Sequence, residues 1–338
     1  MTLPAALVTP LTGPLAGYGR AGATALGLWA RTSRQVELIV VDAFPDAAAA
    51  MRRAEALGPQ LIFGPYGSSP ARAAIGATRR LVWNHGGATS ALARSQYPNA
   101  VNVPAPASTY FTGVLRAVRR ADPDARRVVL HQAATGFAED VARGASAEAA
   151  ASGFDVTDDV GSEGEVLLVV GGFEYELAAA RTLLHRPWRA AAFVGAGVEE
   201  VLEELGPARE GLVGPAQWMA SAALPPEEGP DTAWFCDAWR RRAGTEPPYP
   251  AVQAFAAGVV CARCLRDAGS TDDAALLDAA RRLDTSTLYG RFRLDPVSGL
   301  QAGHEVLTVQ WQEGARRVVW PPERAEAPLR YPRDDSMP

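Results

Sequence analysis

The residues best placed to do chemistry in this 338-residue chain sit in three loops rich in glycine and hydroxyl groups. They are Thr9-Pro10-Leu11-Thr12-Gly13-Pro14-Leu15-Ala16-Gly17-Tyr18-Gly19, Gly64-Pro65-Tyr66-Gly67-Ser68-Ser69-Pro70, and His85-Gly86-Gly87-Ala88-Thr89-Ser90. Small residues let a ligand approach the backbone, and Ser68 and Thr89 each place a hydroxyl beside N–H groups left open at a helix start. Such an arrangement suits a carboxylate or another anion. The same residue types also serve as ordinary turn and N-cap residues, and that structural alternative stands beside the ligand-binding one.

Catalytic signatures do not accompany these loops. The chain has no GxSxG, HExxH, GxGxxG after a strand, or HxE with PCxxC, so no catalytic residue, metal site or cofactor is assigned. His85, His131, His185 and His304 are too few and too scattered for a metal cluster. His131, at a strand end, and His185, near a helix end, read as structural or solvent-facing. Cys261-Ala-Arg-Cys264 is formally a CxxC, but no second Cys/His pair follows at zinc spacing. Within the apolar pattern starting at Ala251, the two cysteines read as small core residues of a buried helix. With Cys236 they do not make a disulfide framework. The adjacent carboxylates Asp158-Asp159 and Glu199-Glu200 read as solvated surface.

Composition narrows the classes further. At 48% hydrophobic and 21% charged residues the chain is an ordinary globular protein. A net charge of -5 argues against nucleic acid as a partner. All 33 basic residues are arginine, which removes the Walker-A, Schiff-base and general-base lysines together. No apolar run approaches the ~18 residues of a membrane span. Met1 leads straight into Leu3 to Val8 without a basic leader or cleavage site. The chain is therefore expected to be either cytoplasmic or the mature form of an exported protein.

The elements that must carry the loops alternate. Leu3 to Val8, Val36 to Val41, Leu61 to Phe63, Leu81 to Trp83 and Val101 to Val103 read as strands. Between them come helices over Gly19 to Ala30, Ala47 to Leu57 (capped by Asp46, stopped by Gly58) and Pro70 to Arg80. The pattern restarts with strands at Arg127 to His131, Glu165 to Val170, Ala190 to Val194 and Gly211 to Gly214. Its helices are Phe137 to Ala151, Glu176 to Leu184 and Val198 to Leu205. Strands alternating with helices mean βαβ units and mainly parallel sheets, here two in succession, so the fold class is α/β with two lobes. Each of the three loops follows a strand, at the carboxyl edge where open α/β sheets bind ligands. Three helices follow, over Asp231 to Arg242, Ala251 to Asp267 and Asp272 to Leu283. A hairpin is expected from Tyr289 to Leu294 through the turn 295–299 to Glu305 to Trp311, then a loose tail from Pro321 to Pro338. Trp83 reads as core.

In order and spacing the chain resembles the type I periplasmic solute-binding proteins of the leucine/isoleucine/valine-binding branch. The residues carrying the resemblance are Pro10-Leu11-Thr12-Gly13-Pro14 with Tyr18-Gly19, Gly64-Pro65-Tyr66-Gly67-Ser68-Ser69 and Gly87-Ala88-Thr89-Ser90. To these add Gly171-Gly172-Phe173, Phe193-Val194-Gly195 and Tyr289-Gly290-Arg291-Phe292 with Gly299. The resemblance spans Leu3 to about Trp311. It implies two Rossmann-like lobes joined by three crossovers near Pro104 to Ser108, Pro215 to Trp218 and Val306, with the ligand caught in a cleft between them on hinge closure. One lobe would be 1–106 plus 219–305, the other 107–218 plus 306–338.

Carried over residue by residue, the resemblance gives Ser68 and Thr89 the grip on an α-carboxylate. Gly87 would offer a carbonyl, with Ser69 and Ala88 beside them, and Tyr18 and Tyr66 are the aromatics of that half. The ammonium half departs from the pattern. An acid expected at Ala107 or Ser108 is missing, as is one expected at Ala196 or Gly197. Tyrosines expected in the second lobe are Phe137 and Phe173. An ammonium buried without a carboxylate costs several kcal/mol. The ligand is thus expected to keep a carboxylate and lack the amine, as an aromatic or hydrophobic acid does, unless Glu139, Glu174 or Glu199 supplies the charge from a shifted position. The implied role is a non-catalytic, monomeric protein on the periplasmic or extracellular side that delivers a small molecule to the membrane subunits of an ABC importer. The alternative is a cytoplasmic ligand sensor of the same fold acting on a regulatory partner.

Overall fold

A computed structural model describes residues 2–33, 36–161 and 164–333. The chain divides into a first unit, 1–106 with 223–305, and a second, 107–222 with 306–338. The first unit begins β1 (Leu3–Thr9), α1 (Ala16–Ser33), β2 (Val36–Asp42), α2 (Ala47–Ala56), β3 (Leu61–Phe63), α3 (Ser68–Gly76), β4 (Val82–Asn84) and β5 (Ala100–Asn102). Its strands form one parallel sheet in the order β2-β1-β3-β4-β5. Side chains alternate across the sheet: Ala6, Val8, Ile62 and Val82 pack under α2 and α3 with Met51, Ala54, Ala71 and Ile75. Both faces are covered, which is why β1 and β3 read as unbroken apolar runs. Asp46 caps α2 by accepting the Ala49 N–H at 2.9 Å.

The second unit opens with a 3-10 turn (Ala107–Thr109) and α4 (Thr112–Ala121). It continues through β6 (Arg127–Gln132), α5 (Gly136–Ala151), β7 (Asp155–Thr157), β8 (Val166–Val170), α6 (Phe173–Leu183), β9 (Ala190–Phe193) and β10 (Val213–Ala216). The chain then returns to the first unit for α7 (Thr232–Ala243), α8 (Tyr249–Ala268), α9 (Asp273–Arg282) and the antiparallel pair β11 (Asp284–Thr287) and β12 (Gly290–Arg293). It ends in the second unit with β13 (Leu307–Gln312) and β14 (Ala315–Trp320). The second sheet runs β14-β13-β10-β9-β8-β6-β7, parallel except for β13 and β14. Its core holds Val129, Leu167, Val169, Phe193, Trp188 and Trp311.

In the first unit α8 lies on α1 so closely that a Cβ on Gly258 would stand 2.3 Å from the Trp29 ring. Trp83 is fully buried, as its pattern indicated, and Cys236, Cys261 and Cys264 are buried free thiols.

Four expectations need correction. No α-helix forms over Val198 to Leu205; 3-10 segments at Val194–Gly197 and Glu203–Arg209 flank an extended Val198, and Gly206 at φ 52 with Pro207 breaks any continuation. Tyr289 to Leu294 does not pair with Glu305 to Trp311. The turn forms, with Asp295 accepting the Val297 and Ser298 N–H groups at 3.1 and 2.7 Å, but β12 turns back on the Thr-rich β11 and β13 joins β10 in the other unit. The tail is not loose over 321–333. Gln310 donates to the Arg330 carbonyl at 3.0 Å and accepts its N–H at 2.8 Å, Gln312 donates to the Pro328 carbonyl at 2.9 Å, and the Tyr331 hydroxyl donates to Asp122 at 2.8 Å. The remainder of that stretch, 334–338, lies outside the described residues. Finally, residues 219–222 belong with the second unit, where Met219 packs against Ala216, Ala222, Leu307, Val309 and Val318.

Candidate ligand-binding site

The three loops singled out from the sequence follow β1, β3 and β4, which are neighbours in the first sheet. Two of them are held by side chains at strand ends. Asp42, at the end of β2, accepts the Leu11 N–H at 2.9 Å and the Thr12 hydroxyl at 2.7 Å. Asn84, fully buried at the end of β4, accepts the Gly87 N–H at 2.8 Å and donates to the Gly87 carbonyl at 2.7 Å and to Asn102 at 2.9 Å. The Gly87 carbonyl expected to face a ligand is therefore already engaged. A Cβ on Gly87 would meet Ala71 at 2.2 Å, so this loop lies hard against α3.

Ser68 and Ser69 open α3 behind Gly67, whose φ of 94 favours glycine and which offers no side-chain cap. The first N–H groups of the helix and two serines thus lie at one helix start, residue types suited to an anion. Thr89 is buried, and its hydroxyl accepts the Ala91 N–H at 3.2 Å as the N-cap of a 3-10 turn. Ala88 is buried beside it. Tyr66 extends the β3–β4 pairing through a bridge to Gly86. Tyr18, half-buried on α1, stacks on Tyr66 with ring centroids 5.0 Å apart.

Tyr249, at the start of α8, completes this cluster at 6.4 Å from each of the other two rings, and its hydroxyl bonds that of Tyr66. Sequence reasoning missed it; the only local signal was an aromatic residue at a Pro-flanked helix start. At the start of the third loop, His85 is fully buried with neither ring nitrogen hydrogen-bonded among the described residues, and burial pushes its pKa down to about 4.

The second unit presents its own carboxyl edge. Phe137 lies in the first turn of α5, which Thr135 caps by accepting the Ala138 N–H at 3.2 Å, and packs edge-on to Tyr110 at 5.9 Å. Ser108 is in the 107–109 turn, where its carbonyl would sit 1.8 Å from a Cβ on Gly144 of α5. Phe173 begins α6 and is 40% exposed. Ala196 is a correction: at 1% exposure its side chain belongs to the core with Phe193 and Leu202, and its carbonyl accepts the Trp311 indole N–H at 3.0 Å.

Of the acids weighed as substitutes, Glu199 pairs with Arg316 at 2.8 Å, while Glu139 and Glu174 are exposed in helix first turns. Tyr175 on α6 bonds His131 of β6 at 2.8 Å and stacks on it, so His131 has a defined partner.

The sequence over residues 184–316 matches the family model described as periplasmic binding protein. No curated protein matches the chain. Solved structures match in fold over nearly the whole length. A solute-binding protein of an ABC transporter from R. palustris, in complex with benzoate, superposes at a TM-score of 0.76 with 15% identity, covering 94% of this chain and 96% of its own. The leucine-binding protein LivK of Thermotoga maritima gives 0.77 with 17% identity, covering 94% and 97%. A putative branched-chain amino acid ABC transporter protein from Silicibacter pomeroyi gives 0.80 with 14% identity, covering 98% and 99%.

Proposed function

For a chain that has the fold of the type I periplasmic binding proteins, and whose residues 184–316 match the periplasmic binding protein family model, we propose a non-catalytic extracytoplasmic solute-binding protein for a small aromatic or hydrophobic carboxylate lacking an amine. It delivers that ligand to the membrane subunits of an ABC importer. The observation that carries the reading is the first sheet edge, where the Ser68 end of α3 and Thr89 lie on loops neighbouring the Tyr18–Tyr66 stack. Hydroxyls and helix-start N–H groups suit the carboxylate, and aromatic faces suit a ring or branched chain attached to it.

Ala107, Ser108, Ala196 and Gly197 stand where amino-acid-binding relatives are expected to place acids, and a buried ammonium without one costs several kcal/mol. Phe137 and Phe173 add apolar rather than hydroxyl-bearing rings. The benzoate held by the R. palustris structure belongs to the same ligand class.

A thermal-shift screen of two panels tests this: free amino acids against benzoate-like and branched carboxylic acids. A ligand at 100 times its Kd stabilises by about 2.7 kcal/mol, enough to raise the melting temperature by several degrees. Stabilisation by the acids alone is the expected result. Stabilisation by leucine or phenylalanine but not by the acids would sink the proposal.

A further inference from the structure

Glu176 is the one acidic side chain of α6 that does not reach solvent. It is 1% exposed, whereas Glu174, two residues earlier, is exposed. Its Oε1 accepts the Gly171 N–H at 3.2 Å and its Oε2 accepts the Gly195 N–H at 2.6 Å. Gly171 follows β8 and leads into the turn that presents Phe173; Gly195 follows β9 and lies in the 194–197 turn. One carboxyl group thus bridges the exits of two adjacent strands.

The glycines leave room for it. A Cβ on Gly195 would stand 2.8 Å from Oε2 and 2.4 Å from Val201, and one on Gly171 would stand 2.4 Å from the Tyr175 ring. Burying a carboxyl group is costly, and here burial outweighs the two N–H bonds and pushes its pKa up to about 8. Among the described residues no charged side chain compensates. On the neighbouring elements Tyr175 bonds His131 and Glu199 pairs with Arg316. A surface-directed glutamate would avoid this cost altogether, so holding the two loops is what the side chain achieves in exchange.

We infer that Glu176 is a positioning residue: its carboxyl group locks the Gly171–Phe173 loop to the 194–197 turn, so that the ligand-facing edge of the second unit is one rigid surface. It touches no ligand itself. The consequence for affinity rests on the proposed function above; the locking does not.

The test uses the full chain with Glu176→Gln, whose amide accepts one N–H but opposes the other, and with Glu176→Asp, one methylene shorter. Site-resolved amide hydrogen exchange is followed at Gly171, Gly195 and the β8 strand, together with the Kd for benzoate. Loss of the lock is expected to speed exchange at one or both glycines about tenfold, with the amides of 166–170 unchanged. Benzoate affinity is expected to fall about tenfold as Phe173 is released. A merely structural role would speed exchange throughout β8 and leave benzoate affinity of the folded protein unchanged. Unaltered exchange at both glycines in a folded variant, or acceleration spread over the whole strand, overturns the inference. Should wild-type protein ignore benzoate, the ligand assignment fails while the exchange pattern still decides the role of Glu176.

Discussion

The phenol oxygens of Tyr66 and Tyr249, 183 positions apart in the chain, are hydrogen-bonded to each other. This bond ties the loop after β3 to the start of α8, and with Tyr18 it makes a cluster of three rings on one sheet edge. Replacing Tyr249 by Phe keeps the ring and removes the bond. The expected result is a stability loss of about 1 kcal/mol, read as a lower urea midpoint, and weaker binding of aromatic acids by isothermal calorimetry.

Ser68 and Thr89 separate binding from folding. The Thr89 hydroxyl caps a turn, so Thr89→Ala is expected to cost about 1 kcal/mol of stability as well as carboxylate affinity. Ser68 provides no cap, its helix being preceded by Gly67. Ser68→Ala is therefore expected to weaken carboxylate binding several-fold while leaving the melting temperature of the free protein within a degree or so.

His85 makes stability depend on acid. Burial lowers its pKa from 6.5 to about 4, so the fold favours the neutral ring. A group depressed in the folded state contributes stability that is complete above pH 6.5 and lost as pH falls through about 4. The contribution is on the order of 3 kcal/mol. Urea midpoints measured from pH 7 down to 4 should fall in wild-type protein and fall less in His85→Gln. Glu176 acts in the opposite direction: its pKa is raised from 4.5 to about 8, so its contribution is present below pH 4.5 and lost as pH rises through about 8. The two variants read these opposed slopes separately.

The glutamines of β13 define a fourth measurement. Gln310 and Gln312 are buried and spend their amides on the backbone of 328–330. A chain ending at Ala327 removes those partners, while Gln310 keeps its bond to the Gly211 carbonyl and Gln312 its bond to Gln310. Each lost bond costs about 1 kcal/mol, so the truncated protein is expected to melt several degrees lower in a thermal scan.

Much of this architecture is written locally. β-branched and apolar runs stopped by glycine mark the strands, and the Asp46 cap marks α2 to within a residue. The start of α3 is less legible because Pro70 suggests the first helical position, while the helix begins two residues earlier with no side-chain cap to announce it. The Val198 to Leu205 stretch has helical apolar spacing, but Gly206 and Pro207 and the extended Val198 override it. The β11–β12 pairing was missed because a short Thr-Ser-Thr stretch offers a weak signal beside a strongly marked turn. At the candidate site, loop residue types are visible in one dimension, whereas Tyr249 acquires its place only through a contact across most of the chain. Glu176 did carry a signal: it falls on the stripe of Ala179, Ala180 and Leu183 at helical spacing, the buried face of α6.

The close fit of Gly258 on Trp29 has a consequence for synthesis on the ribosome. The first sheet emerges early, but the helix that covers α1 is translated only after the whole stretch 107–222 of the second unit has appeared. Until then Trp29 and its neighbours on α1 lack their cover. The nascent chain must keep an apolar face out of trouble while an entire other unit is made. A fragment ending at residue 222 is accordingly expected to bind apolar dyes and to aggregate, and adding 223–305 in trans is expected to reverse both.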